Sequence, residues 1–185
     1  MNMSGVVQLA AGYRQTYVLR ADGTVWAWGN NNSGQLGDGT TIERRSPVQV
    51  VGLTGITDIA AGDDHALARK NDGTVWAWGT NANGRLGDGT TTTRLVPVQV
   101  SSLTNVASVM CGGGFSMARK SDGTVWSWGL NSSGQLGDGT TTDRSLPVQV
   151  TGLTNVSSVA ASKNGIHSLA LKNDGTVWAW GATPN

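Results

Sequence analysis

Two histidines, one cysteine and 12 acidic residues are the side chains in this 185-residue sequence with the chemistry to move protons, bind a metal or act as nucleophiles. Paired carboxylates would suit general acid–base hydrolysis. Seven of the 12 stand at recurring places, namely Asp22, Asp72, Asp122 and Asp174 in Asp-Gly pairs and Asp38, Asp88 and Asp138 in Gly-Asp-Gly. A carboxylate needed in every repeat is expected to hold a turn rather than to catalyse. Glu43, Asp58, Asp63, Asp64 and Asp143 remain. His65 and His167 share one place in the pattern, filled elsewhere by Gln15 and Phe115. Their expected work is packing or hydrogen bonding near a strand start, because a metal centre needs more ligands than two dispersed His with Asp63 and Asp64 as helpers. Cys111 stands where other repeats have Ala11, Ala61 and Ala161, so it reads as a small buried filler. A single cysteine also excludes an intrachain disulfide. There is no Ser-His-Asp order, P-loop or complete G-x-G-x-x-G. The chain is therefore expected not to be an enzyme and to need no cofactor or metal.

Charge points the same way. Thirteen Lys and Arg against 12 acidic residues leave +1, which is no footprint for nucleic acid. Arg44, Arg94 and Arg144 precede a Pro by three residues, and Arg20, Lys70, Lys120 and Lys172 precede a hairpin Asp by two. Both sets read as solvated edges and hairpin ends. No run reaches the roughly 18 apolar residues of a membrane span, and MNMSGVVQLAAG lacks the charged start and apolar run of a signal peptide. Sparse Lys with abundant Thr, Asn and Gly leans towards an extracellular setting, as part of a larger bacterial protein.

These side chains are placed by repetition. DGTVWAWG occurs at 22–29, 72–79 and 174–181, with DGTVWSWG at 122–129. GQLGDGTT or GRLGDGTT lies at 34–41, 84–91 and 134–141, and PVQV at 47–50, 97–100 and 147–150. The repeats are expected at 1–51, 52–101, 102–151 and 152–185, the last incomplete, within a single domain.

Alternation assigns the elements. In TVWAW the Trp side chains face one way and Val and Ala the other, as in a strand buried on both faces. Asp-Gly joins it to the preceding run through an expected two-residue hairpin turn. VVQLAAG and its copies are strands whose small side chains suit crowding at a central axis. PVQV is expected as a fourth strand starting at Pro. All eight Trp fall in two strand positions, so packing between repeats accounts for them. Asn31, Asn81 and Asn131 are expected to order the Gly-rich loops. Four antiparallel strands per 50 residues make an all-β propeller of about three and two-thirds blades.

The succession V-x-x-V-A-A-G, L-A-x-K-x-D-G-x-V-x-x-W-G, x-N-x-x-G-Q-L-G-D-G and P-V-x-V resembles the repeats of the regulator of chromosome condensation family. The resemblance implies a seven-bladed propeller in the full-length members, so that this chain is expected to be half or part of a seven- or eight-bladed ring, and functions as diverse as GTPase nucleotide exchange, β-lactamase inhibition and ultraviolet sensing through Trp. Common to these is a rigid disc whose loops hold partner proteins.

Positions that vary between repeats are then the place to seek a partner. Tyr13, Arg14 and Gln15, Asp63, Asp64 and His65, Phe115, and Lys163, Asn164 and His167 are expected to share one face of the disc. The leading expectation is a protein-interaction scaffold. A self-assembly unit closing a ring as a homodimer, or joined by the remaining blades of a longer chain, is the alternative, followed by a carbohydrate-binding propeller; nucleotide exchange stands behind these.

Overall fold

The computed structural model describes residues 3–162 and 166–182, so Lys163 and Asn164 lie outside the described residues. The chain forms four antiparallel sheets, each threaded in sequence order from the inside outwards. The first holds β1 (Val6–Ala11), β2 (Gln15–Arg20), β3 (Val25–Gly29) and β4 (Arg44–Gln49). The second holds β5 (Ile56–Ala61), β6 (His65–Lys70), β7 (Val75–Gly79) and β8 (Arg94–Gln99). The third holds β9 (Val106–Cys111), β10 (Phe115–Lys120), β11 (Val125–Gly129) and β12 (Arg144–Gln149). The fourth holds three strands among the described residues, β13 (Val156–Ala161), β14 (His167–Lys172) and β15 (Val177–Gly181). This is the all-β propeller pattern, with three complete blades and three strands of a fourth.

The innermost strands are rich in small side chains because they crowd one axis. Ala11, Ala61, Cys111 and Ala161 line a cavity of about 490 Å3 together with Gln8 and Asp58. Two side chains tie the inner strands across blades. The Gln8 amide donates to Asp58 Oδ1 at 2.8 Å and to the Ile59 carbonyl at 3.2 Å, and its oxygen accepts the Ile59 N–H at 3.1 Å. Asp58 Oδ2 in turn accepts the Val109 N–H at 3.0 Å.

Packing between blades repeats with the sequence. Tyr17, Leu19, Val25 and Ala27 of the first blade, with Leu36, Val50 and Leu53 of its loops, meet Ile56, Ala61, Ala66, Ala68 and Trp78 of the second. The same positions meet again at the next two junctions. Each buried side chain of this size supplies roughly 1.5–3 kcal/mol. The Trp78 indole N–H and the Tyr17 hydroxyl both donate to the Gln35 carbonyl, and the two rings meet edge to face at 6.0 Å between centroids. Burial pushes the Tyr17 hydroxyl well above the ordinary tyrosine range. Trp180 repeats the indole bond to the Gln135 carbonyl at 3.0 Å.

Two local expectations need correction. The β2–β3 turn spans Ala21-Asp22-Gly23, closed by the Arg20 N–H to the Thr24 carbonyl at 2.9 Å, rather than two residues. Only Gly23, at φ 76°, takes the left-handed conformation, as in a three-residue hairpin. Asp22 instead folds its carboxylate onto the Thr24 N–H at 3.0 Å and hydroxyl at 2.6 Å. Those bonds hold the carboxyl below its ordinary range, and the equivalent bonds from Thr176 bring Asp174 to about 2. The fourth strand starts at Arg44, not at Pro47. Its pairing shifts between Ala27↔Val48 and Gly29↔Arg44, and this irregular edge absorbs the proline without a lost ladder bond.

The Gly-rich loops are ordered as the Asn positions suggest. Asn31 Nδ2 donates to Asp38 Oδ1 and the Thr40 carbonyl, both at 3.0 Å, while Asn31 Oδ1 accepts the Leu36 N–H at 2.9 Å. Asn81 and Asn131 make the same set. Arg44 closes the loop on Asp38 Oδ2 at 2.8 Å. Burial works to raise Asp38, but the Thr40 hydroxyl and N–H, Arg44 and Asn31 outweigh it and leave the carboxyl low.

Candidate partner-binding loops

The loops joining the first two strands of the first three blades each hold a buried anchor, preceded by an exposed tip at Tyr13 and Arg14 in the first and a half-buried one at Asp63 and Asp64 in the second. Gln15, His65 and Phe115 are the anchors. Each lies over the glycine three residues earlier, and a Cβ on Gly12, Gly62 or Gly112 would overlap the Gln15, His65 or Phe115 side chain. The fourth blade has Ser162 at this place and a loop longer by two residues, and the N–H to carbonyl bond lengthens from 2.9 Å at Gly12, Gly62 and Gly112 to 3.3 Å at Ser162. Sequence reasoning placed Gln15, His65 and Phe115 among the partner-facing positions while also reading His65 as packing or hydrogen bonding near a strand start. Their burial removes all three from the outer face and agrees with the packing reading of His65, because the side chains turn inward against the neighbouring blade.

The anchors are tied across blades. Gln15 Nε2 donates to the Asp63 carbonyl at 2.7 Å and to the Gly62 carbonyl at 3.3 Å. Ser116 Oγ donates its proton to the Arg85 carbonyl at 2.8 Å, so the contact of 3.0 Å between His65 Nε2 and Ser116 Oγ is a donation from the imidazole. Burial, then the nearby Arg85 charge, lowers the His65 pKa to about 3, and the ring is neutral.

The tips gather a different set. Tyr13 and Arg14 are exposed, with the Arg14 guanidinium 5.1 Å from the Tyr13 ring centroid. Together with Asn30, Asn32, Ser33 and Asp64 they line a cleft of about 380 Å3 between the first two blades. Gln35 Nε2 bridges Asn30 Oδ1 at 2.7 Å and Asp64 Oδ1 at 3.0 Å and fixes that carboxylate in the cleft. Nearby, burial lowers the Arg85 pKa while Asp63, Asp64 and Asp143 oppose the shift. His167 sits half-buried opposite Gly181 in the fourth sheet. Thus Tyr13, Arg14 and Asp64 come together in one cleft, with Asp63 at its margin.

Sequence reasoning missed Asn30, Asn32, Ser33, Gln35 and Arg85. The visible signal was the change from Gln35 and Gln135 to Arg85 inside an otherwise constant GxLGDGTT block. Among the described residues, no group of three His, Cys, Asp or Glu is placed to hold a metal, and no helix is long and apolar enough to cross a membrane.

The repeat landmarks and sheet order now meet a sequence match over residues 1–185 to the RCC1-like domain. The chain belongs to the RCC1-like domain family. It superposes on yeast RCC1 (Prp20), solved with Kap60, at a TM-score of 0.81 and 27% identity, covering 95% of this chain and 43% of that one. Human WBSCR16 matches at a TM-score of 0.85 and 28% identity, covering 97% of this chain and 48% of that one. The ultraviolet-B receptor UVR8 of Arabidopsis thaliana is 40% identical over 50 residues, 27% of this chain and 11% of the receptor. This RCC1-like chain therefore spans less than half the length of these relatives. The computationally designed Ika4 protein matches over 99% of this chain and 94% of its own at 17% identity and a TM-score of 0.53, a likeness of fold alone.

Proposed function

We propose that this RCC1-like chain is a non-enzymatic scaffold that holds a protein partner at the loop tips between its first and second blades. The observation that carries the reading is that the first two loops pair a buried, hydrogen-bonded anchor with a chemically distinct tip. Gln15 and His65 are tied to the next blade, and the Tyr13–Arg14 tip and the Asp64 carboxylate line one cleft beside these anchors. Pre-set loops lose less conformational entropy on binding than free ones. An aromatic ring beside both a guanidinium and a carboxylate suits a polar protein surface with a basic side chain for Asp64 and an acidic one for Arg14.

Support for the non-enzymatic part comes from the carboxylates themselves. The hairpin Asp22, Asp72, Asp122 and Asp174 and the loop Asp38, Asp88 and Asp138 are all engaged by neighbouring Thr groups. Site-specific photo-crosslinking tests the reading. A crosslinker replacing Tyr13 should capture a discrete protein, and Asp64→Lys should abolish the capture. Equal capture from Ser46 on the outer edge, or capture unchanged by Asp64→Lys, would reject this face.

A further inference from the structure

The loop block GxLGDGTT is carried with one exchange, and that exchange changes what the loop face can bind. At the first internal junction Gln35 fills the space between neighbouring loops, its amide bridging Asn30 Oδ1 and Asp64 Oδ1. At the second, Arg85 stands in the same place, while Thr80 replaces Asn30 and Gly113-Gly114 replace Asp63-Asp64. The side-chain amide and carboxylate that satisfy Gln35 therefore have no counterpart of their kind around Arg85.

The Arg85 guanidinium is tethered at its base and poorly matched at its fork. Nε donates to the Ala82 carbonyl at 2.9 Å and holds the side chain along its own loop. Nη1 and Nη2 reach only the Gly113 carbonyl at 3.5 Å and Asn83 Oδ1 at 3.4 Å, longer than an ordinary N–H···O bond. Among the described residues no carboxylate forms an ion pair with it. Two acids close enough to oppose the fall in its pKa are committed elsewhere. Asp64 Oδ1 accepts from Gln35, and Asp143 accepts the Asn131 N–H on Oδ1 at 2.8 Å and the Asn83 amide on Oδ2 at 2.6 Å. Arg44, Arg94 and Arg144 show what a structural arginine does in this fold, each closing on Asp38, Asp88 or Asp138 at 2.7–2.8 Å. Gly114 also keeps the space beside the fork free of a side chain, since a Cβ there would stand 3.4 Å from Nη2.

We propose that Arg85 is a carboxylate receptor on the loop face and takes an aspartate or glutamate side chain of a protein partner in a two-pronged bond. The inference rests on the reading of the loop tips as a partner surface and adds a second contact, one junction along. A carboxylate fits because the planar guanidinium offers parallel donors to two oxygens of one anion. Arg85 is half-buried, and a cation with part of its water removed gains more from an anion than a fully solvated one. Asp63, Asp64 and Asp143 all act on its charge, so a polyanion or a doubly charged phosphate is disfavoured against a single carboxylate. Asp64 also shares the first cleft with Arg14, and the partner segment therefore pairs a basic residue for Asp64 with an acidic one on the Arg85 side.

Selection from a random peptide library displayed on phage, with residues 1–185 as bait, tests this. Recovered peptides are expected to be enriched in Asp or Glu. Arg85→Gln, which copies Gln35 and Gln135 and so suits the fold, should weaken them by about tenfold or more. Arg85→Lys keeps the charge without the planar fork and should recover only part of that loss. Exchanging the acidic residue of a peptide for its amide should cost nothing further in the Arg85→Gln chain, the coupling expected of a direct pair. A purely structural role would instead weaken acidic and amide peptides alike. A library that yields no binder or no acidic enrichment, binding unchanged by Arg85→Gln, or additive losses would each overturn the proposal. Capture at Tyr13 that Asp64→Lys abolishes and Arg85→Gln leaves intact would keep the first cleft and reject the Arg85 site. Acidic peptides that need Arg85 and ignore Asp64→Lys would uphold the Arg85 site and count against the first cleft.

Discussion

The internal blade junctions and the two open ends are made of nearly the same residues and differ in what covers them. Trp78 and Trp128 are fully buried between blades, while Trp28, in the same place on the first blade, is only partly covered, with Met3, Arg45 and Pro47 nearby. Val125 and Val177 form the same register with the strand before them, Arg119↔Val125 and Leu171↔Val177, yet one is core and the other is surface. Strand pairing within a blade is thus independent of its neighbours, whereas burial depends on them. A propeller blade makes its own ladder and borrows its core.

Chemical denaturation should break or sharpen that contrast. Trp78→Ala removes a fully buried indole and its bond to Gln35, and is expected to cost about 3–5 kcal/mol; Trp28→Ala should cost clearly less, since no blade precedes it among the described residues. Equal losses would mean that the first blade is stabilised by itself. Next, Val125→Ala should cost about 2 kcal/mol, from two buried methyl groups and the cavity they leave. Val177→Ala, at a side chain 67% exposed, should fall within about 0.5 kcal/mol of the parent.

A pH-dependent effect belongs to the junction between the second and third blades. His65 is neutral when folded down to about pH 3 and takes a proton near 6.5 when unfolded. Between those values the unfolded chain binds the extra proton, so stability falls as the pH falls, by about 1.4 kcal/mol per pH unit at full slope. His65→Phe, the residue the third blade uses, should flatten the melting temperature between pH 6 and pH 4 and leave pH 8 nearly unchanged. A slope equal to the parent's would show that His65 is not the titrating group. The hairpin and loop aspartates act at lower pH, where their depressed carboxyls contribute stability that is lost as they protonate.

Much of the blade was legible because its signals are local. Alternation in TVWAW, the recurring glycine of the hairpin and the thrice-repeated Asn of the loop each act within about a dozen residues. Reading failed at two local details. Asp22 and Gly23 suggest a two-residue turn, but only Gly23 is left-handed and Arg20 pairs with Thr24, so the turn holds three residues, with the Asp22 carboxylate on the Thr24 N–H and hydroxyl. Pro47 looks like a strand start, but the shifted register on an outer edge lets the strand begin at Arg44. At the candidate face, Tyr13, Arg14 and Asp64 were visible as variable positions, whereas Asn30 and Ser33 join them only across a blade boundary.

By itself the sequence determined the unit, its four strands, their alternation and the family to which they belong, because each depends on dihedral preference and side-chain period within one repeat. Tertiary structure alone decided which of the equivalent residues became core. Gln15, His65 and Phe115, expected among the partner-facing positions, become core once the next blade closes over them, and Val177 reads as core although nothing in the described arc covers it. The physical reason is that burial is a property of two surfaces, and each repeat encodes only one side of each junction.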